Sequence, residues 1–422
     1  FPGSQVDQVL AAEFARMSPP RAALTVQAMA DRKDTLVLSA VLEAAQDGPK
    51  PVRVAAIEAL GRAGDGSCLA PLLEIALERD AELVQPAKAS LAVLPGESVD
   101  QDILARVKTA QGKAYPLLLE LVGERRIAAV DVLVEALDHS DGTVRSAALT
   151  SLGQTAAADD LSVLIKQVVS PDHAEDAEVA QQALRAASVR MPDPDACAAE
   201  LAAAMQRAAI PTQCVLLEIL GEVGGTKALE TVAAAARSSD EQLRDASTRV
   251  LGQWMTIDAA PALLELAQSG PDDKYRIRSL RGYLRIARQF NMGQDERIAM
   301  CRNALEAASQ PAERRLLLEI LRRYPNLEAL NLAVQIGQET SELKPAATRA
   351  ALTIAHKLGS HDAVRDALSQ ADLDKVQLEI VKAEYGAGDT QQDVTAKLRE
   401  QAGDVQWDAL SSPSYNTAFG GE

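Results

Sequence analysis

Val144-Arg145-Ser146-Ala147-Ala148-Leu149-Thr150-Ser151-Leu152-Gly153 is the stretch whose reading decides the fold. Val144, Ala147, Ala148, Ser151 and Leu152 fall at the i, i+3, i+4, i+7, i+8 spacing of one helical face. Asp141 stands where a helix N-cap is expected. Gly153 stands where a helix is expected to end in a left-handed residue. Variants of this stretch recur. Their first positions are Pro20, Val52, Val84, Ala114, Val144, Val179, Thr212, Leu243, Ile277, Glu313, Leu343 and Leu373, spaced 30 to 36 residues apart. A near-constant period of this length marks stacked repeats, each too small to bury its own apolar face.

Outward from Val144, each unit reads as helix, turn, helix, short loop. The clearest second helices are Val52–Gly61, Val144–Gly153 and Leu243–Gly252. First helices are plain at Leu69–Leu77, Val130–Leu137 and Ala262–Ala267. At the N-terminus a helix near Gln5–Met17 is followed by Pro19-Pro20, which suits a helix start because a proline lacks only an N–H that would be unpaired there. Twelve helix pairs result, the last near 361–369 with 372–384. A polar helix near Gln391–Gln401 reads as a cap, and Ser411–Glu422 as an irregular extension or the start of a further domain. No strand pattern and no Gly/Ser linker interrupts the array. The expected class is all-α: one α-solenoid over residues 1–410, a curved right-handed superhelix with its second helices on the concave side.

Composition agrees. Hydrophobic residues make up 47% of the chain but aromatics only 3%, so the core must come from Ala, Leu and Val. Small residues suit helices in close repeated contact. The net charge of −17 argues against a nucleic-acid partner, since phosphates demand basic surface. No apolar run reaches the roughly 18 residues that span a bilayer. Cys68, Cys197, Cys214 and Cys301 match no zinc spacing and read as small buried hydrophobes. A Cys197–Cys214 bridge is opposed by geometry, since each would start one of two antiparallel helices.

The Val-Arg-x-Ala-Ala-x-x-x-Leu-Gly pattern with its preceding Asp resembles HEAT repeats. The short unit is closer to the HEAT-like repeats of the phycobilisome-lyase type than to long HEAT repeats. That resemblance implies the solenoid and is nearly silent on activity. A second, briefer resemblance lies in Tyr275–Phe290 and Tyr415–Gly421, which look like segments of HEAT-rich exported proteins of planctomycete-type bacteria. It implies a place outside the cytoplasm, beside sugar-active or haem domains.

The sequence holds no Gly-rich phosphate loop, no His-Glu-x-x-His and no Gly-x-Ser-x-Gly, so no catalytic residue and no cofactor is assigned. His139 and His173 sit in successive loops among acids; helix capping and solvated loops account for them, and no metal site is assigned. Arg53, Arg145, Arg244, Arg278 and Arg314 share the second motif position and are expected to pair with nearby Asp in a ladder. The stretch Lys274–Tyr324 differs. It carries 12 Lys+Arg against 5 Asp+Glu, a local +7, which leaves −24 on the rest. Arg278, Arg281, Arg285 and Arg288 share a helical stripe, and Arg281 falls where the template has Ala148. With Tyr275, Tyr283, Arg315 and Arg322 they form the candidate ligand-binding set, since arginine and aromatic faces suit carboxylates, sulfates and phosphates. The competing reading is a solvated face neutralised by acids such as Glu313 and Glu319. The expected function is a non-catalytic scaffold for a protein partner or an anionic ligand such as an acidic glycan. An accessory module of a larger sugar-active enzyme is the alternative, and a lyase-like activity rests on repeat analogy alone.

Overall fold

The computed structural model describes residues 4–14, 16–32, 36–359 and 362–371. The twelfth second helix, the cap near Gln391–Gln401 and the tail Ser411–Glu422 lie outside the described residues. Among the described residues every regular element is helical. The hairpins are α1 (Ser4–Phe14) with α2 (Pro19–Ala30), α3 (Leu38–Asp47) with α4 (Lys50–Ala63), and α5 (Leu69–Ala76) with α6 (Ala81–Val93). Next come α7 (Glu97–Val107) with α8 (Ala114–Glu124), α9 (Val130–Ala136) with α10 (Gly142–Thr155), and α11 (Leu161–Val169) with α12 (Ala177–Ser188). Then follow α13 (Pro194–Met205) with α14 (Ile210–Val223) and α15 (Gly225–Ala235) with α16 (Glu241–Gly252). The last are α17 (Ala260–Ser269) with α18 (Asp273–Gln289), α19 (Gln294–Ala307) with α20 (Pro311–Arg323), α21 (Leu327–Glu339) with α22 (Lys344–Leu358), and α23 (Asp362–Ser369). This is the all-α solenoid architecture. The helices cluster into two units, residues 1–228 and 229–422, with the division inside α15.

Local chemistry sets the helix starts. Asp80, Asp141 and Asp240 each accept a hydrogen bond from the backbone N–H two residues on, at 3.0, 2.8 and 2.9 Å. Pro19 opens α2, as its missing N–H allows. The motif glycine does other work than expected. Gly153 lies inside α10, which runs on to Thr155, so it ends nothing. A Cβ there would stand 2.8 Å from the Ala183 Cα of α12. Gly61 meets the Ser90 Cα, and Gly123 the Ser151 Cα, at 2.7 Å in the same sense. Only a missing side chain admits such an approach, so the glycine marks backbone contact between successive second helices. Left-handed glycines do end other helices, at Gly224 (φ 71°) and Gly359 (φ 83°).

The residue facing that glycine adds a hydrogen bond. Ser90 Oγ donates to the Ile57 carbonyl at 2.9 Å, and Ser151 Oγ to the Leu119 carbonyl at 2.7 Å, both buried. These contacts also correct the repeat register. Ser90 matches Ser151 only if Leu83, which is buried, takes the place of Val144 in α6; the expected Val84 is one residue late. Ala183 takes the place of Ser151 in α12, three residues before the expected register allows. In α18 a Cβ on Gly282 would stand 2.8 Å from the Gly252 Cα. Gly282 therefore matches Ser151, and that repeat begins at buried Tyr275 instead of Ile277.

The second motif position forms a clasp. Arg53 donates to the Ala45 carbonyl near the end of α3 at 2.8 Å and pairs with Glu78 of the next hairpin at 2.5 Å. Arg145 donates to the His139 carbonyl after α9 at 3.0 Å and pairs with Asp176 at 2.6 Å and Glu175 at 2.8 Å, both in the next hairpin. Arg314 reaches the Ala308 carbonyl at 3.3 Å and Glu339 at 3.0 Å. Arg244 holds the Ser238 carbonyl at 3.1 Å. Three of the five expected rungs therefore form, at Arg53, Arg145 and Arg314, with acids from the following repeat and a first anchor at a helix C-terminus, where carbonyls lack partners, whereas Arg278 pairs backward with Asp245. Exposed members contribute only about 0–1 kcal/mol each; Arg145 is buried.

Ala148 is fully buried and Ala147 nearly so. Ala148→Leu is expected to cost about 1–3 kcal/mol by overpacking, and Gly153→Ala to destabilise as well, because its Cβ meets backbone. Urea denaturation of both variants checks this; an unchanged midpoint for either would refute the close-contact account.

Candidate functional site

The basic stretch lies in the second unit, on α18 to α20. Its opening is a groove between α16 and α18, with room of about 470 Å³, lined by Arg249, Gly252, Gln253, Lys274, Ile277, Arg278, Arg281, Gly282 and Arg285. The floor exists because α16 and α18 meet at Gly252 and Gly282. The walls are five cations, and among the described residues no carboxylate lines it.

Two of those cations are committed to the scaffold. Arg285 donates to the Gly252 carbonyl at 2.9 Å and to the Trp254 carbonyl, closing the C-terminus of α16. Burial pushes its pKa below the ordinary arginine value. Arg278 donates to the Asp245 carbonyl at 3.1 Å, the Asp245 carboxylate at 3.0 Å and Thr248 Oγ1 at 3.0 Å. Lys274 shares Asp245 at 2.7 Å and Arg249 approaches it at 3.4 Å. Hydrogen bonds from Lys274 first and Arg278 second hold the Asp245 carboxyl below its usual range. Arg281 pairs at 3.2 Å with Glu313, whose side chain is 1% exposed while that of Arg281 is 54% exposed. Glu313 occupies the leading apolar position of its repeat, and its second oxygen accepts no hydrogen bond among the described residues. In the corrected register Ser279 stands in the place of Ala148, and Arg281 in that of exposed Thr150.

The other expected residues do not converge here. Arg288 is exposed on α18 but does not line the groove. Tyr275 is buried, its ring under Lys274, Arg244 and Arg278 at 5.1, 5.4 and 5.9 Å. Tyr283 is buried too, its phenol pKa raised by burial and offset by a hydrogen bond with Asn303. Arg315 faces Glu342 at 3.8 Å. Arg322 is exposed at the end of α20. The aromatics thus serve arginines inside the fold: Arg297, itself buried, lies 3.8 Å from the Tyr324 ring centroid. The candidate set omitted Arg249 and Lys274. Arg249 holds the same outward position in its repeat that Arg281 holds in the next, a signal readable only in the correct register.

Elsewhere the structure offers little chemistry. Among the described residues no group of three His, Cys, Asp or Glu is placed to hold a metal ion. His139 Nδ1 accepts from the Asp141 N–H at 3.0 Å, and its ring lies 5.7 Å from that of Tyr115. Cys68, Cys197 and Cys301 are free thiols buried in the fold, and burial pushes the Cys301 thiol up to about 12. No described helix is long and apolar enough to cross a membrane.

Residues 104–185 and 198–282 match the family model of HEAT repeats. Those two segments are HEAT repeats. Among solved structures it is similar to Kap121p, at 13% identity and TM-score 0.44, over 94% of this chain and 48% of that one. It therefore spans about half the length of Kap121p. It is similar also to the CpcE and CpcF complex of phycocyanin lyase from Nostoc sp. PCC7120, at 17% identity and TM-score 0.24, over 65% of this chain and 95% of that one. Human deoxyhypusine hydroxylase matches at 18% identity and TM-score 0.25, over 61% and 96%. No curated protein matches the chain.

Two predictions follow from the groove. Asp245 has a folded pKa below the ordinary value of about 3.9, so its stabilising contribution is full above that value and is lost as pH falls through the depressed one. Asp245→Asn is expected to be less stable than the wild type at neutral pH, with the gap narrowing as pH falls below the ordinary carboxylate range. Urea titrations across that range test it, and a pH-independent gap would count against the assignment. Arg281→Ala is expected to cost about 1–3 kcal/mol by leaving Glu313 buried without its cation. Arg281→Ala with Glu313→Gln should recover part of the loss. Additive effects of Arg281→Ala and Glu313→Gln in a double-mutant cycle would show that the pair is not coupled.

Proposed function

We propose that the chain is a non-catalytic scaffold whose basic groove on α16 and α18 takes an anionic partner. The HEAT architecture is typical of protein-interaction scaffolds. The carrying observation is the groove lining: five cations and no lining carboxylate, in a protein of net charge −17. Concentrated positive charge steers an anion, and guanidinium groups already fixed by internal partners meet it without being ordered afresh. Arg249, Lys274 and Arg281 are the contact cations, because each is about half exposed or more. Arg278 and Arg285 shape the walls from within. Arg288, Arg315 and Arg322 extend the field without lining the groove.

The test is binding of labelled polyglutamate and of a sulfated glycan to wild type and to Arg249→Ala with Lys274→Ala. These sites are chosen because Asp245 retains Arg278. Wild-type binding is expected to weaken with added salt, and the double variant to bind about tenfold less tightly with its melting temperature nearly unchanged. Failure of the wild type to bind either polyanion would overturn the reading.

A further inference from the structure

We infer that the partner of the groove is an extended acidic polypeptide segment carrying an apolar side chain, which seats on the floor at Gly252. This rests on the anion-binding reading above and deepens it. The key is Gly252 itself. At Gly61, Gly123 and Gly153 the motif glycine is required, since a Cβ would stand 2.7 to 2.8 Å from the next helix. At Gly252 a Cβ would meet nothing within 4 Å. Packing therefore does not demand glycine there, nor does the backbone, which is not left-handed. What its missing side chain leaves is open space in the groove.

One apolar side chain borders that space between the cations. Ile277 lines the groove beside Gly252 and Gly282. Three residues on from Gly252, Met255 is 73% exposed, the most exposed large apolar residue described, and Ile257 beyond it is 37% exposed. Arg285 fixes this turn to the groove wall through the Gly252 and Trp254 carbonyls. An apolar floor between cationic walls, with exposed methionine at the end of α16, is a poor match for a free sulfate or a wholly polar glycan. It suits a chain that alternates carboxylates with an apolar group: carboxylates meet Arg249, Lys274 and Arg281, and the apolar side chain covers Gly252 and Ile277. Methionine is well suited to such a contact because its unbranched thioether adapts to the side chain it meets.

Two ten-residue peptides of Glu and Ser test the inference, one with a central Leu and one with Ser in its place. Titration calorimetry would measure both against wild type, Gly252→Leu and Met255→Ser, with a sulfated glycan as comparison. The Leu peptide is expected to bind wild type about tenfold more tightly than the Ser peptide, as burial of one aliphatic side chain implies. Gly252→Leu fills the floor; it should lose that binding while its melting temperature holds or rises, since glycine is a poor helix former. Met255→Ser should narrow the difference between the two peptides and leave glycan binding alone. Equal binding of the two peptides to wild type, or wild-type affinity in a folded Gly252→Leu, would overturn the inference, and anion binding that still depends on Arg249 and Lys274 would leave the scaffold reading standing. Absence of any polyanion binding to wild type would overturn both.

Discussion

At four seams, Gly61 with Ser90, Gly123 with Ser151, Gly153 with Ala183 and Gly252 with Gly282, successive second helices touch backbone to backbone, and that contact sets the terms for the rest. Where Gly123 meets Ser151, or Gly153 meets Ala183, there is no space for a methyl group. Side chains at the seam are therefore Gly, Ala and Ser, and the serines donate to carbonyls already committed to helical bonds. Larger apolar residues are buried beside it: Leu149 and Leu152 on α10. A composition poor in aromatics and rich in alanine is the chemical result of this geometry, since packing at crystal-like density leaves no slack for a larger residue at the seam.

Close contact alone leaves neighbouring hairpins free to slide, and the arginine clasp limits that. One guanidinium satisfies the orphan carbonyls at the end of its own first helix and an acid in the following hairpin, as Arg145 does with His139, Asp176 and Glu175. Its planar fork of donors is what lets one side chain hold both. At α18 the arrangement changes. Arg278 turns back to Asp245 on the preceding second helix, and Arg281 reaches forward to Glu313, an acid placed where other repeats carry an aliphatic residue. Charge has replaced apolar contact at this seam, and cations stand along an open groove as a consequence.

The same place in the first unit shows how much the outward residues decide. Between α8 and α10 a groove of about 440 Å³ is lined by Glu120, Glu124, Thr143, Ser146, Thr150 and Gln154 among others. Burial, with the Glu120 charge beside it, raises the Glu124 carboxyl above its usual range. Here the backbone contact is Gly123 with Ser151, the wall is acidic, and the hydroxyls bond within the chain. One repeat geometry thus supports opposite electrostatics, because residues pointing away from the seam carry no packing duty and are free to differ.

Periodicity in the sequence was enough to establish the helix pairs among the described residues, their order and the capping aspartates, because a helical stripe every 30 to 36 residues has few ways to be buried. The positive stretch and its Arg278, Arg281 and Arg285 were legible for the same reason: charge and spacing are local properties. The register of α6, α12 and α18 was not. A helix with apolar residues on several faces reads almost equally well one to three residues along, and only the neighbour's backbone shows which residue sits at the seam. The same holds for the glycines, whose role depends on what lies across from them: collision at Gly153, open space at Gly252. Arg249 entered the groove, and Tyr275 and Tyr283 left it for the interior, because which face of α16 and α18 stays open is decided by contacts between repeats, which no single helix encodes.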